Sequence, residues 1–271
     1  MIGQKSIIEK FNTFEKIPSS VVLLGPSGSG KKTIVNRIIE NIGIDSFDIS
    51  KSFTDEMKID LYSYPNRMII ILDLTKDISQ KTIMNLQNST LKFIEDLPDN
   101  LRVFILAENE TFVPDTILNR SYIQQIEKYS NEELLEIAQI NNKVLDGYTT
   151  NELKYFKTPK DILFAPNINE FKSIEILVET ILTSIGRANI SNTLSISKKI
   201  NFNNEIGLYD LDLFLSIFEK KLVDKIISVG DEKYNRIFTI FNKMVYNINK
   251  YGYNKVYIFE KFLLDIKQVL I

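Results

Sequence analysis

The chain has 271 residues, 44% of them hydrophobic and 25% charged, with a formal net charge of −2. Zero cysteines exclude disulfides and thiolate metal sites, and zero histidines remove the commonest metal ligand and the commonest general base. A charge so near neutrality excludes a polycation that coats nucleic acid by itself, and what remains (Lys, Arg, Asp, Glu and backbone amides) suits the handling of phosphate.

In chain order, Met1-Ile2-Gly3-Gln4 leads directly into a helical spacing of Ile7, Ile8, Phe11 and Phe14. No signal-peptide pattern opens the chain and no apolar run reaches the ~18 residues of a membrane span, so a cytoplasmic protein with no membrane contact is expected. Val21-Val22-Leu23-Leu24 reads as a buried strand and Thr33–Ile42 as an amphipathic helix. Between them stands Gly25-Pro26-Ser27-Gly28-Ser29-Gly30-Lys31-Lys32-Thr33, which is G-x-x-x-x-G-K-[ST] with one position changed. Its glycines let successive N–H groups point at a phosphate, and Lys31 can reach the β/γ oxygens. At the changed position the Mg²⁺-ligating hydroxyl is replaced by Lys32, a cation that cannot hold a cation. The sequence therefore promises nucleotide binding more firmly than nucleotide cleavage.

A short strand is expected over Asp45–Ile49. The apolar run Met68–Asp73 marks a strand buried on both faces, and Ile78–Ile94 a long helix capped near Ser79. Leu101–Ala107 and Tyr122–Ile126 complete the strands. Strands alternating with helices imply an α/β domain with a parallel sheet covered on both sides. Beyond about residue 128 no further β-structure is expected. Ser130 should cap a small helical module ending near Ala165-Pro166, followed only by helices at about 168–188, 208–228, 231–250 and 255–270. The expected organisation is a nucleotide-binding domain over 1–128, a helical lid over 129–166 and an all-helical domain over 167–271.

Asp73 closes its strand where phosphate-loop proteins place the acid that sits near Mg²⁺; the alternative is a residue that merely ends the strand. The following position, commonly the Glu that activates water, is Leu74, which cannot polarise water. Asp77 and Glu108 are the acids that could substitute. No residue is assigned as a direct metal ligand, and Asp73 could approach Mg²⁺ only through water. Lys76, Lys81 and Lys92 could face a DNA backbone, although lysines at such spacing usually form a solvated helix face.

Downstream lie Asn88, Leu91-Lys92, Ile94-Glu95-Asp96 and Pro98, then Phe104-Ile105-Leu106, then Asn119-Arg120-Ser121. With Ile2-Gly3-Gln4 and Ile17-Pro18, this set resembles the AAA+ clamp-loader subunits of DNA replication. That family comprises the bacterial delta-prime and tau/gamma subunits, the replication factor C small subunits and their phage counterparts. The likeness covers roughly residues 1–165 by motif and the helical remainder by architecture only. It implies an AAA+ phosphate-loop domain, a lid and a helical collar that joins subunits. Ile2 and Gly3 would lie against the adenine, Asn109 would act as the polar sensor of the γ-phosphate, and Arg120 as the finger reaching the ATP of a neighbouring subunit. ATP or ADP would be the ligand, with Mg²⁺ as its usual ion. The partners would be other clamp-loader subunits in a hetero-oligomeric ring, a sliding clamp and primer–template DNA, in the host cytoplasm if the source is viral. Lys31-Lys32-Thr33 after the loop glycine resembles the stator-like delta-prime type, which, with Leu74 in place of the Glu, would make the chain a weak or inactive ATPase within a DNA-dependent assembly. A lid arginine, expected near Thr158–Asp161, is missing, with Lys160 its nearest stand-in. The alternatives are a hydrolysing clamp-loader ATPase and a non-catalytic scaffold.

Overall fold

The computed structural model describes residues 2–74, 90–202, 209–248 and 254–271. Most of the helix expected over 78–94, its cap Ser79, and the candidates Lys76, Asp77, Lys81 and Asn88 lie outside the described residues. The described part of that helix, 90–95, is helical. The chain divides into two compact units: Met1–Lys143 with Lys157–Leu163, and Val144–Phe156 with Phe164–Ile271.

The first unit is built on a five-stranded parallel sheet in the order β2-β3-β4-β1-β5. The strands are β1 (Ser20–Leu24), β2 (Asp45–Asp48), β3 (Met68–Asp73), β4 (Leu101–Ala107) and β5 (Tyr122–Gln125). The three inner strands are the continuous apolar runs, while the edges β2 and β5 are largely exposed, as burial on two faces demands. The period-2 alternation sorts one core from the other. Val22, Leu24, Ile70, Leu72, Val103 and Ile105 point to one face, against Leu61 of α3 (Asp55–Tyr62) and Phe93 of the 90–95 stretch. Val21, Leu23, Ile69, Ile71, Phe104 and Leu106 point to the other, against Ile7 of α1 (Lys5–Lys10) and Ile34, Val35 and Ile38 of α2 (Lys31–Ile42). Each such side chain contributes about 1.5–3 kcal/mol by leaving water. The α/β architecture expected from the sequence is the one observed.

Local departures have local causes. The first helix stops at Lys10, and a 3₁₀ turn follows at Phe14–Lys16. Asn12 and Thr13, which compete with the backbone for its hydrogen bonds, stand between them. That break lets Phe14 turn inward beneath the Arg102 guanidinium, 4.3 Å from its ring centre.

The second unit is chiefly helical, with long helices at Ile168–Ser184, Leu211–Val229, Glu232–Ile248 and Lys255–Leu270. Asn167, Asp210 and Asn254 cap three of them through side-chain oxygens. Phe214, Phe218, Phe241, Phe259 and Phe262 form its aromatic centre, with Phe218 stacked on Phe241 at 5.2 Å. Tyr246 and Tyr257 are each 66% exposed. Two features exceed the expectation: a short helix at Ile190–Ser195, and a two-residue parallel pairing of Ile200–Asn201 with Tyr209–Asp210. The second corrects the reading that no β-structure follows residue 128. Two residues are too few to show a period.

Candidate functional site: the phosphate loop and the ends of the sheet

The glycine-rich loop leaves β1 at the carboxyl end of the sheet, where parallel α/β proteins bind ligands. The Gly25 amide donates to Ala107 O at 3.2 Å, and Ser29 N–H donates to Pro26 O at 3.2 Å, closing the turn. α2 begins at Lys31 without any side-chain cap, its N-cap being Gly30, so its first-turn amides are directed at the loop by helix geometry alone. Lys31 is buried, and its Nζ donates to Gly25 O at 2.6 Å and Pro26 O at 2.9 Å. Burial lowers its pKa, against the opposing pull of Glu108 and Asp73, so the ammonium is under-solvated and held at the loop.

Two outer contacts fix the loop. Gly28 has φ +74°, and a Cβ there would stand 2.1 Å from Lys160 Cβ, so no side chain fits. The Lys160 amide donates to Gly28 O at 3.2 Å. Tyr129 donates its hydroxyl to Ser29 O at 3.0 Å, and burial pushes its own pKa up to about 12, which keeps the donor protonated. The same ring sits 2.8 Å from where a Cβ of Gly3 would be, at φ +67°. Gln4 locks the segment in place: its Nε2 donates to Glu127 O at 2.7 Å, and its Oε1 accepts from Glu127 N–H at 3.0 Å. Ile2 and Gly3 thus lie beside the segment that also grips the loop.

Lys32 does not face outward as a spare cation. Its Nζ forms an ion pair with Asp48 at 2.5 Å. Burial works to raise the Asp48 pKa, but hydrogen bonds from Lys32, from the Ser50 hydroxyl and from the Ser50 amide outweigh it and hold the carboxyl at about 2. Ser50 Oγ in turn accepts the Asp73 amide at 2.8 Å. A continuous polar path therefore runs from the altered loop position to the backbone amide of Asp73 at the end of β3. Asp73 is buried, and Leu74 lies in the core beneath the sheet, its amide donating to Leu106 O at 2.8 Å. Thr33, next along α2, is exposed. Where a phosphate-loop protein offers Mg²⁺ a hydroxyl, this chain places an ammonium already matched to a carboxylate. Among the described residues no group of three or more Asp or Glu could hold a metal ion. The described residues at the loop do not fit Mg²⁺, because Lys32 stands where its oxygen ligand would be.

Asn109 follows β4 at the same end of the sheet, but it is exposed and its Oδ1 accepts from Thr111 N–H at 3.0 Å, capping the turn Glu110–Phe112. Arg120 lies elsewhere. It follows the helix Asp115–Leu118 and precedes β5, so it stands at the amino end of the sheet. A 2.8 Å bond between Ser121 Oγ and Ser20 Oγ pins that turn to the first residue of β1. The length of β1, at about 3.3 Å per residue, puts roughly 16 Å between this level and the loop, more than an arginine spans. The guanidinium is half-exposed, donating to Thr116 O at 3.0 Å and pairing with Glu95 at 2.9 Å. The loop and Arg120 are thus not brought together within one chain.

No protein-family model and no curated protein matches this sequence. Solved structures similar to it include the Thermotoga maritima RuvB Holliday junction branch migration motor, 15% identical over 84% of this chain and 77% of that one, with a TM-score of 0.44. The FIGL-1 AAA domain in complex with ADP is 14% identical over 65% of this chain and 71% of that one, with a TM-score of 0.42. The HORMA:CdnC:Trip13 complex of E. coli MS115-1 is 14% identical over 60% of this chain and 68% of that one, with a TM-score of 0.38.

Sequence reasoning missed Asp48, Ser50 and Tyr129. Asp48-Ile49-Ser50 did carry a signal: an acid two residues before a serine, the spacing at which a side chain accepts from the backbone just ahead. Among the described residues no helix is long and apolar enough to cross a membrane.

Proposed function

We propose that the chain is an AAA+ clamp-loader subunit of the delta-prime type. It would bind ATP or ADP with little turnover and supply Arg120 to the nucleotide of an adjoining subunit. The position of Arg120 carries this reading: exposed at the amino end of the sheet, it is too far from its own loop to serve it, so any phosphate it meets belongs to another chain. A guanidinium offered in trans stabilises charge on a transferring phosphoryl group. Lys31 and the α2 amides support nucleotide binding, while Lys32 and Leu74 stand where cleavage would need a hydroxyl and a carboxylate. In this reading the segments 1–128, 129–166 and 167–271 act as nucleotide domain, lid and collar in a cytoplasmic hetero-oligomeric ring that opens a sliding clamp for primer–template DNA.

The test has two stages. The purified chain should bind ADP and ATP and show no burst of hydrolysis in a single turnover. Arg120→Ala, reconstituted with the other subunits, should lower the ATPase of the assembly about 10³-fold, in line with arginine fingers generally. An unchanged assembly rate refutes the finger. One observation favours the hydrolysing alternative: Glu108, directly after β4, acts electrostatically on Lys31 of the loop. Turnover by the isolated chain that is lost in Glu108→Gln would establish that reading instead. A melting temperature unmoved by either nucleotide would favour the scaffold.

A further inference from the structure

Resting on the nucleotide-binding reading, we propose that this loop takes a nucleoside di- or triphosphate without a divalent ion, Lys32 supplying the positive charge and Asp48 holding that charge in place. The chemistry of the donor set leads here. A divalent ion at a phosphate loop needs an oxygen ligand from the residue after the loop lysine, and an ammonium there repels it. Lys32 sits in the first turn of α2, on the helix end that already favours anions, and Asp48 ends β2 at the same carboxyl rim of the sheet. The 2.5 Å ion pair keeps the ammonium at that rim rather than in bulk solvent. Lysine binds phosphate as a point charge, with no fixed geometry, so a modest rotation of its flexible stem suffices to exchange carboxylate for phosphate oxygen. Asp48 is itself anchored, accepting from the Ser50 amide at 2.9 Å, so the lysine moves and the carboxylate stays. With Lys31 fixed inside the loop and Lys32 at its edge, two cations flank the phosphates, which is the charge that Mg²⁺ would otherwise contribute.

The experiment is calorimetric titration of ADP, and separately ATP, into the full chain in millimolar Mg²⁺ or in EDTA. The wild type should bind with affinities that agree within about threefold between the two conditions. Lys32→Thr, which restores the hydroxyl, should bind at least about tenfold more weakly in EDTA than in Mg²⁺. Asp48→Asn, which leaves an oxygen for the Ser50 amide but no charge to hold the ammonium at the rim, should bind more weakly than wild type in EDTA. Wild-type binding that disappears on chelation and returns with Mg²⁺ overturns this inference and leaves the nucleotide reading standing. Absence of binding in both conditions overturns that reading and this inference with it.

Discussion

The Asp48→Asn substitution offers the sharpest physical test of the path that links the loop to β3. Asp48 has its carboxyl at about 2 instead of the ordinary 3.8, a difference near two units. At about 1.4 kcal/mol per unit this sets a ceiling of roughly 2.5 kcal/mol. The pair is 41% and 35% exposed on its two side chains, so screening cuts the realistic value to about 1 kcal/mol. Because the folded pKa lies below the unfolded one, the contribution is complete above about pH 4 and fades as pH falls through the folded value near 2. Thermal unfolding of wild type and variant should therefore differ by a constant few degrees from pH 5 to 8, draw together below pH 4 and meet near pH 2. The effect should also be local. Hydrogen exchange at the Asp73 amide, which donates to Ser50 Oγ, should quicken by about fivefold at pH 7, the equivalent of 1 kcal/mol. A variant as stable as wild type at pH 7, or one whose deficit persists unchanged at pH 3, would refute the account of Asp48 as an ionised anchor.

Other positions give independent checks. Gly28→Ala combines a left-handed backbone with a clash against Lys160 and should destabilise the first unit by more than about 2 kcal/mol, read as a drop in its melting temperature. Lys31→Met should weaken ADP binding at least about hundredfold by calorimetry, yet lower the melting temperature by no more than a few degrees, because the desolvation cost of the buried ammonium disappears with its two hydrogen bonds. Ser130→Ala removes half of a capping box with Glu133 and should cost about 1 kcal/mol in urea unfolding.

How far the sequence exposed all this depends on how local each feature is. The inner strands and α2 were legible because burial on two faces writes itself as unbroken apolar runs, and a glycine loop between strand and helix has few other uses. Ser130 was legible because a serine just ahead of an amphipathic run is itself a helix start signal. Asp73 was legible as a strand end, but its support by Ser50 was not, since that contact arises only once β2 and β3 pair in register, Asp48 beside Ile71. The same pairing hid the partner of Lys32. Arg120 was identified by family likeness, whereas its distance from the loop follows only from the parallel alignment of β5 with β1. Asn109 shows the reverse: its place after β4 was legible, and the use of its oxygen on Thr111 was not.

The order of strands also bears on how the chain comes to be folded. β1 is made first, yet its two neighbours are β4 and β5, so its five buried residues have no strand to pair with until the chain has grown past Ala107. β2 and β3 can meet early, and β1 must wait for closure of a long loop, which is slow and leaves an apolar segment uncovered. Nascent or truncated chains ending before β4 would therefore carry Val21-Val22-Leu23-Leu24 unshielded, and aggregation during synthesis should depend on how quickly β4 emerges.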